Sequence, residues 1–167
     1  GMCVCPTEVL ITRGDQQALY LTAHALLSHG DVVAMEQMAH PNAVKTFESA
    51  GVRVVHIPVD ADGMQVDRLK EVIEAEPRLK AVYATPRLNY PTTVHLSAER
   101  CQTLAELAVA NRLLVVEDDF DGMTPLTGSQ TLPLAAYLPK ENSVYVCTAT
   151  RILAQVVRVG FVMASKE

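Results

Sequence analysis

Residues 97–120 read SAERCQTLAELAVANRLLVVEDDF, and this stretch combines a helix, a strand and an acidic strand end. Ser97 is a residue type that caps helices, and Leu104 and Ala108 recur at the spacing of one helix face. The run at 113–116 contains only leucine and valine, as expected for a strand that is buried on both faces. A helix that leads directly into such a strand predicts a parallel sheet between two helical layers.

The same alternation extends along the rest of the chain. Runs typical of strands occur at 9–12, 32–35, 52–59, 81–85, 113–117, 143–148 and 159–164. Helical patterns occur at 16–28 before Gly30, at 41–50 before Gly51, and after the candidate caps Asp67 and Ser97. Strands joined through helices pair in parallel with right-handed crossovers.

The last two predicted strands are connected differently. Only about ten residues separate Thr148 from Val159, which is short for a helical crossover, so the last strand is expected to run antiparallel. We therefore predict a three-layer α/β/α fold with a mostly parallel seven-stranded sheet and one antiparallel strand.

Composition narrows the class of protein. The 167 residues are 49% hydrophobic and 20% charged, as in globular domains. The net charge of −5 argues against a nucleic-acid-binding surface on this segment. No apolar run approaches the ~20 residues needed to cross a bilayer. The four cysteines and five histidines lack metal-ligand spacing, which predicts no metal site and favours a reducing, cytoplasmic setting.

The first residues are interpreted as a tail. Gly1 before Met2 is typical of a remnant of tag removal, and residues 1–8 lack the features of a signal peptide. We expect residues 9–167 to form one domain, with no DNA-binding domain before it and no small C-terminal domain after it.

Polar residues follow several predicted strands, at the edge where open α/β sheets bind ligands. The carboxylates at 117–119 end a buried strand, where they are costly unless hydrated, paired or functional; helix capping and loop solvation are the alternatives. Gly14 and Asp15 precede a helix whose N-terminus favours a phosphate, although Asp15 can equally be a plain cap. Arg151 and Arg158 can bind a phosphate or, equally well, pair with the acidic cluster.

Four motifs occur in order: Gly-x-Gln-Gln at 14–17, Thr-Pro…Tyr-Pro-Thr at 85–92, Glu-Asp-Asp-Phe-Asp at 117–121 and Thr-x-Thr-Arg…Arg-x-Gly at 148–160. Each is modest alone, but their order and spacing are specific. The chain resembles the large domain of fold-type-I, pyridoxal-phosphate-dependent aminotransferases, and is most similar to the aminotransferase-like domain of MocR/GntR-type transcriptional regulators. The likeness extends from about Val9 to Ala164 and implies pyridoxal 5′-phosphate as the cofactor.

The resemblance implies three residues around the cofactor ring. The family's carboxylate that pairs with the pyridinium nitrogen, and so keeps the ring protonated as an electron sink, corresponds to Asp118. The family's tyrosine that hydrogen-bonds the phenolic oxygen is replaced by Phe120, which has no hydroxyl. The aromatic residue that stacks on the ring corresponds to His40. Thr93 stands where the family usually has the glycine of Pro-Thr-Gly.

The resemblance also implies a phosphate site and a Schiff-base position. The phosphate site corresponds to the backbone near three residues of the first motif and to three side chains of the last: Gly14, Asp15, Gln16, Thr148, Thr150 and Arg158. Arg151 stands where the family has its Schiff-base lysine. A guanidinium cannot lose its proton near neutral pH, so Arg151 cannot form the Schiff base, and we expect no catalytic residue.

These departures predict a degenerate aminotransferase-like domain without transaminase activity. It is expected to bind pyridoxal phosphate weakly and non-covalently, another small anion, an amino acid, or no ligand at all. The family implies a homodimer. Two alternatives remain: an active aminotransferase completed by another chain, and a structural dimerisation module. The first strand–helix loop lacks Gly-x-Gly-x-x-Gly, which counts against a dinucleotide.

Overall fold

The structure, a computed structural model, describes residues 4–120, 122–123, 132–149 and 158–165. Within these ranges the helices are α1 (Asp15–Leu26), α2 (Pro41–Ser49), α3 (Val66–Ala75) and α4 (Ala98–Ala110). The strands are β1 (Val9–Thr12), β2 (Val32–Glu36), β3 (Arg53–Ile57), β4 (Val59–Asp60), β5 (Gly63–Met64), β6 (Leu79–Ala84), β7 (Leu114–Asp119), β8 (Ser143–Thr148) and β9 (Gly160–Ala164). Short 3-10 helices occupy Pro6–Glu8, Leu134–Tyr137 and Lys140–Asn142.

Seven of these strands form one sheet in the order β1-β9-β8-β7-β6-β2-β3. The strands from β3 to β8 in this order pair in parallel, whereas β9 is antiparallel to both β8 and β1. The predicted seven-stranded, mostly parallel sheet with one antiparallel strand is confirmed. The physical reason is the one expected, since the chain between β8 and β9 is too short for a helical crossover.

Helices cover both faces of the sheet and give the predicted three layers. On one face α1 and α2 bury Leu19 and Phe47 in a cluster with Tyr83 of β6. On the other face α3 and α4 bury Leu69 and Leu104. Apolar burial on both faces explains why the central strands are largely apolar in the sequence. Within the described ranges, no helix has the length and hydropathy required to cross a bilayer.

Two local predictions are wrong. Asp67 does not cap α3: the helix begins at Val66 after Gln65, and Asp67 lies in the first turn, where its charge still suits the helix dipole. The run at 52–59 is not one strand, because β3 ends at Ile57 and Val59–Asp60 forms a separate hairpin with β5. The predicted cap Ser97 is confirmed, since its hydroxyl accepts a hydrogen bond from the Arg100 amide.

Strand β7 extends two residues beyond its predicted end. Asp118 pairs with Val146 and Asp119 with Cys147 of β8, so the ladder continues through the acidic residues. Glu117, Asp118 and Asp119 are all buried as a result. The carboxylates therefore lie within the sheet rather than in a loop after it, and each needs a partner.

Candidate functional site

A cavity of about 420 Å³ lies at the carboxyl ends of the parallel strands. It is bordered by the ends of β6, β7 and β8 and by the first turns of α1 and α2, and its lining side chains include Asp15, His40, Tyr83, Asp118, Phe120 and Thr148. A second cavity, of about 360 Å³, contains none of the predicted site residues that the structure describes. The cavity of about 420 Å³ is the candidate site, because it lies at the edge where open α/β sheets bind ligands.

Asp118 is the central ionisable group of this cavity. Its side chain is 7% exposed, and its Oδ2 accepts a hydrogen bond of 2.7 Å from the Tyr83 hydroxyl. Its Oδ1 is buried and has no hydrogen-bond partner among the described residues. Burial raises the pKa of Asp118 to about 7; the Tyr83 hydrogen bond opposes this shift, and the negative charge of Asp15 adds to it. A carboxyl oxygen without a partner in a cavity is suited to a ligand that brings an N–H group.

The two neighbouring carboxylates, Glu117 and Asp119, accept hydrogen bonds from other parts of the protein instead of facing the cavity. Glu117 accepts backbone hydrogen bonds from Leu134 at 3.0 Å and Ala135 at 2.7 Å, at the start of a 3-10 helix. Burial raises the pKa of Glu117 to about 7 despite these bonds. Asp119 accepts a hydrogen bond of 2.6 Å from the Tyr145 hydroxyl and lies 3.4 Å from Arg87 Nε. Alternation along β7 therefore assigns the outer two carboxylates to structure and directs Asp118 alone into the cavity.

The loop after β6 is held by a buried carboxylate on β2. Glu36 Oε2 accepts hydrogen bonds from the Thr85 amide at 2.9 Å and from the Thr85 hydroxyl at 2.5 Å. Asn89 continues this chain by donating to the Thr85 hydroxyl at 3.1 Å. Burial raises the pKa of Glu36, although the bonds from Thr85 oppose the shift. The network fixes Thr85, which lines the cavity, and Asn89, which precedes the lining residue Tyr90.

The N-terminus of α1 forms another wall of the cavity. Gly14 precedes the helix with φ of +82°, a conformation that favours glycine, and Asp15 and Gln16 line the cavity. The N–H groups of the first helical turn have no acceptor within the helix, and such groups commonly bind anions. Here Asp15 Oδ1 accepts the Gln16 amide at 2.8 Å, so a side-chain carboxylate already lies at this helix end.

Gly160, the first residue of β9, lies against the α1 loop. A methyl group there would lie 2.8 Å from the Gly14 carbonyl carbon and 2.9 Å from the Cys147 carbonyl oxygen, both backbone atoms. The absence of a side chain at this residue therefore sets the position of the loop that begins α1.

We expect Gly160→Ala to move this loop. Because rigid backbone must shift, the free energy of unfolding should fall by about 1–3 kcal/mol, and ligand affinity in the cavity should fall with it. Urea unfolding and ligand titration measure the two effects. Gly30→Ala is the control: its methyl meets the Arg78 guanidinium at the opposite edge of the sheet, so it should cost stability and leave affinity unchanged. Equal affinity losses in the two variants would contradict the assignment.

The aromatic wall consists of His40, Tyr90 and Phe120. The His40 ring lies 5.0 Å from the Tyr90 ring between centroids, and His40 Nδ1 accepts a hydrogen bond from the Asn42 amide at 3.2 Å. His40 thus caps α2 and lines the cavity at the same time. Phe120 contributes only an apolar ring at this wall.

The structure brings most of the sequence-predicted site residues together. Those that line the cavity are Asp15, Gln16, His40, Asp118, Phe120 and Thr148. Gly14 lies directly beside them at the start of α1, whereas Arg158 is exposed and is not part of the lining. Thr150 and Arg151 lie outside the described residues. Within the described part of the chain, no group of three or more His, Cys, Asp or Glu side chains is arranged to hold a metal ion.

Sequence reasoning missed Tyr83 and Asn42, which also line the cavity. It assigned no role in the site to Thr85 and Tyr90, although both belong to the motif at 85–92 and both line the cavity. Tyr83 had a visible signal, because a hydroxyl-bearing ring stands in the otherwise apolar run at 81–84. A buried tyrosine hydroxyl needs a partner, and the carboxyl end of the adjacent strand supplies one.

The sequence profile of the family described as aminotransferase class I and II matches residues 5–166. The chain belongs to this family. It is 29% identical over 96% of its length to aromatic-amino-acid aminotransferase 1 of Thermococcus litoralis, and it covers 40% of that protein. It is 27% identical over 100% of its length to the probable rhizopine catabolism regulatory protein MocR of Rhizobium meliloti, and it covers 33% of that protein.

Solved aminotransferases share the fold. The structure of an archaeal alanine:glyoxylate aminotransferase superposes with a TM-score of 0.93 at 32% identity, over 98% of this chain and 42% of that one. LysN of Thermus thermophilus, solved with N-(5′-phosphopyridoxyl)-L-leucine, gives a TM-score of 0.85 at 28% identity, over 96% of this chain and 42% of that one. The chain thus spans about two fifths of the aminotransferases it matches.

Pyridoxal phosphate is the cofactor of the class I and II aminotransferases, and the cavity can be tested against it. The ring end fits, because Asp118 Oδ1 is buried without a partner among the described residues and aromatic side chains stand beside it. The part of the cavity at the N-terminus of α1 fits the phosphate group less well, because the Asp15 carboxylate lies where an anion would bind.

Proposed function

We propose that this chain is an aminotransferase-like domain that binds the pyridoxal ring without covalent attachment and does not catalyse transamination. The observation that carries the proposal is Arg151, which follows Thr148-x-Thr150 at the position of the family's Schiff-base lysine. Pyridoxal phosphate supplies an electron sink and an aldehyde, and its attachment needs an amine that can lose its proton. A guanidinium does not meet that need near neutral pH.

The described side chains support ring binding. Asp118 would accept a hydrogen bond from the ring nitrogen through Oδ1, while Tyr83 holds its other oxygen. His40, Tyr90 and Phe120 would exclude water from the ring faces. Phe120 provides no hydroxyl for the ring's phenolic oxygen, so ring binding should be weaker than in an active relative.

The likeness to MocR supports a regulator-derived origin. We propose that the domain acts in the cytoplasm as a homodimer that senses a small molecule, as a pseudoenzyme rather than as a working transaminase. The net charge of −5 supports a role without direct nucleic-acid contact by this segment.

Pyridoxal phosphate should raise the unfolding midpoint of the wild-type protein without labelling one particular residue. At about ten times the Kd, binding to the native state alone adds about 1.4 kcal/mol to the free energy of unfolding. Thermal unfolding with and without the cofactor measures this, and inorganic phosphate at the same concentration shows what the anion contributes by itself.

Borohydride reduction followed by peptide mapping tests the absence of covalent attachment. The lysines of the chain are Lys45, Lys70, Lys80, Lys140 and Lys166. We expect only sparse, unselective labelling of these amines and no conversion of amino acids to keto acids. Stoichiometric labelling of one lysine, or measurable turnover by the purified protein, would refute the proposal.

A further inference from the structure

The charge of the cavity differs from what a phosphate ester needs. Asp15 lines the cavity at the N-terminus of α1, and its Oδ1 already accepts the Gln16 amide hydrogen. A phosphate at this helix end would have to displace that carboxylate or lie beside it. The second arrangement brings like charges together in a partly buried space, where their repulsion is larger than in water.

Two further carboxyl groups lie in or beside the cavity. Asp118 lines the same cavity, and Glu36 lies buried directly behind Thr85. The negative charges of Asp15 and Glu36 both add to the upward shift of the Asp118 pKa. Among the described residues that line the cavity there is no lysine or arginine. The described walls therefore favour a ligand that brings positive charge and hydrogen-bond donors.

We infer that this cavity prefers pyridoxal-type ligands without the 5′-phosphate, and that Asp15 is the residue that discriminates against the phosphate ester. The inference rests on the proposed function, because it assumes that the ring itself binds beside Asp118. Pyridoxamine matches the described walls: it carries an ammonium group, a ring nitrogen for Asp118 Oδ1 and an uncharged hydroxymethyl arm toward α1.

Pyridoxamine and pyridoxamine 5′-phosphate are the sharpest pair of probes. They differ only by the phosphate, and neither has an aldehyde that reacts with surface lysines. Calorimetric or fluorescence titration at low ionic strength, where charge effects are least screened, gives both dissociation constants. For the wild-type protein we expect pyridoxamine to bind at least as tightly as its phosphate ester.

Neutralising Asp15 isolates its role. Asp15→Asn should shift the ratio of the two dissociation constants at least about tenfold in favour of the phosphate ester. Asp15→Ser, which keeps a hydroxyl acceptor for the helix end, should shift it in the same direction and guards against misfolding of one variant. Asp31→Asn is the matched control. Asp31 accepts a hydrogen bond from the Ser28 amide at 2.8 Å, beyond the other end of α1. The ratio of the two dissociation constants should therefore stay at the wild-type value in this variant.

The outcomes separate the inference from the proposed function. If the wild-type protein binds the phosphate ester more than about tenfold tighter and the Asp15 variants keep that ratio, the discrimination by Asp15 is refuted while ring binding stands. If neither probe binds, the proposed function fails and the inference with it. Tight pyridoxamine binding with a ratio that moves only in the Asp15 variants supports both.

Discussion

Asp118→Asn should make the ligand-free protein more stable at pH 8 and at the same time weaken its binding of the pyridoxal ring. The asparagine oxygen can still accept the Tyr83 hydroxyl, and its amide group replaces a carboxylate oxygen that has no partner among the described residues. The variant therefore loses a buried charge and keeps the hydrogen bond. Ring binding suffers because an amide does not favour a protonated ring nitrogen as a carboxylate does.

The size of the stability gain follows from the pKa of Asp118. Burial raises this pKa from 3.8 to about 7, which corresponds to about 4 kcal/mol at pH 8 if the full shift is realised. Relaxation of the buried site reduces this figure, so we expect a gain of about 2–4 kcal/mol, or an increase of about 5 °C or more in the unfolding midpoint.

The pH dependence of stability tests whether the lost charge of Asp118 causes the gain. The folded protein keeps the Asp118 proton up to about pH 7, whereas the unfolded chain releases it near pH 4. The contribution of Asp118 to the free energy of unfolding is therefore highest at low pH and is lost as the pH rises through about 7. Above that pH the free energy of unfolding no longer changes on account of Asp118. Asparagine has no proton to lose, so the advantage of the variant should shrink as the pH falls from 7 to 5.

Asp119→Asn is the matched control on the next residue of β7. Asp119 accepts the Tyr145 hydroxyl and lies 3.4 Å from Arg87 Nε, so the same chemical change here removes the charge that faces a guanidinium. We expect a loss of about 1–3 kcal/mol instead of a gain. Urea unfolding of both variants at pH 5 and pH 8 provides the measurement. A destabilised Asp118→Asn variant at pH 8 would show that the cavity does not hold Asp118 as an uncompensated charge.

The sequence predicts the layered fold, but it does not predict the different roles of Asp118 and Asp119. The run at 113–116 and the alternation of strand and helix patterns determine the layered sheet, because burial on both faces leaves a clear apolar signal. The acidic residues at 117–119 identify the edge where the candidate site lies. The sequence does not show which of Asp118 and Asp119 faces the cavity, because that depends on partners from other strands, Tyr83 for Asp118 and Tyr145 for Asp119.

Most of the contacts that the sequence did not predict join segments that are distant along the chain. Tyr83 of β6 reaches Asp118 on the adjacent strand β7, Glu36 reaches Thr85 from β2, and Glu117 binds the backbone at 134–135. Each contact joins residues that are 17 or more positions apart, so no local pattern contains it. The hairpin of β4 and β5 escaped for a related reason: two-residue strands carry no periodicity to detect.

Arg151→Lys should create a covalent attachment site where the wild-type protein has none. A lysine amine can lose its proton and react with the cofactor aldehyde, which the guanidinium of Arg151 cannot do. The neighbouring hydroxyls at 148 and 150 and Asp118 are unchanged, so the ring should still be drawn to the same cavity. Borohydride reduction followed by peptide mapping should place a near-stoichiometric label at position 151.

Attachment should not bring transamination with it. Phe120 still lacks the hydroxyl that the family's tyrosine offers to the phenolic oxygen, and Asp15 still opposes the phosphate. Turnover of amino acids by Arg151→Lys should therefore stay near the wild-type background, and adding Phe120→Tyr should tighten binding of the ring.

Arg158→Lys is the control for position. It makes the same exchange seven residues later, at an exposed side chain that does not line the cavity, and it should give no stoichiometric label. Labels of equal strength at 151 and 158 would mean that the reaction reports surface amines and not a site. An unlabelled Arg151→Lys variant that nevertheless binds pyridoxamine would mean that residue 151 does not face the ring. The proposed absence of transaminase chemistry would then need another cause, because a guanidinium prevents Schiff-base formation only where residue 151 meets the cofactor aldehyde.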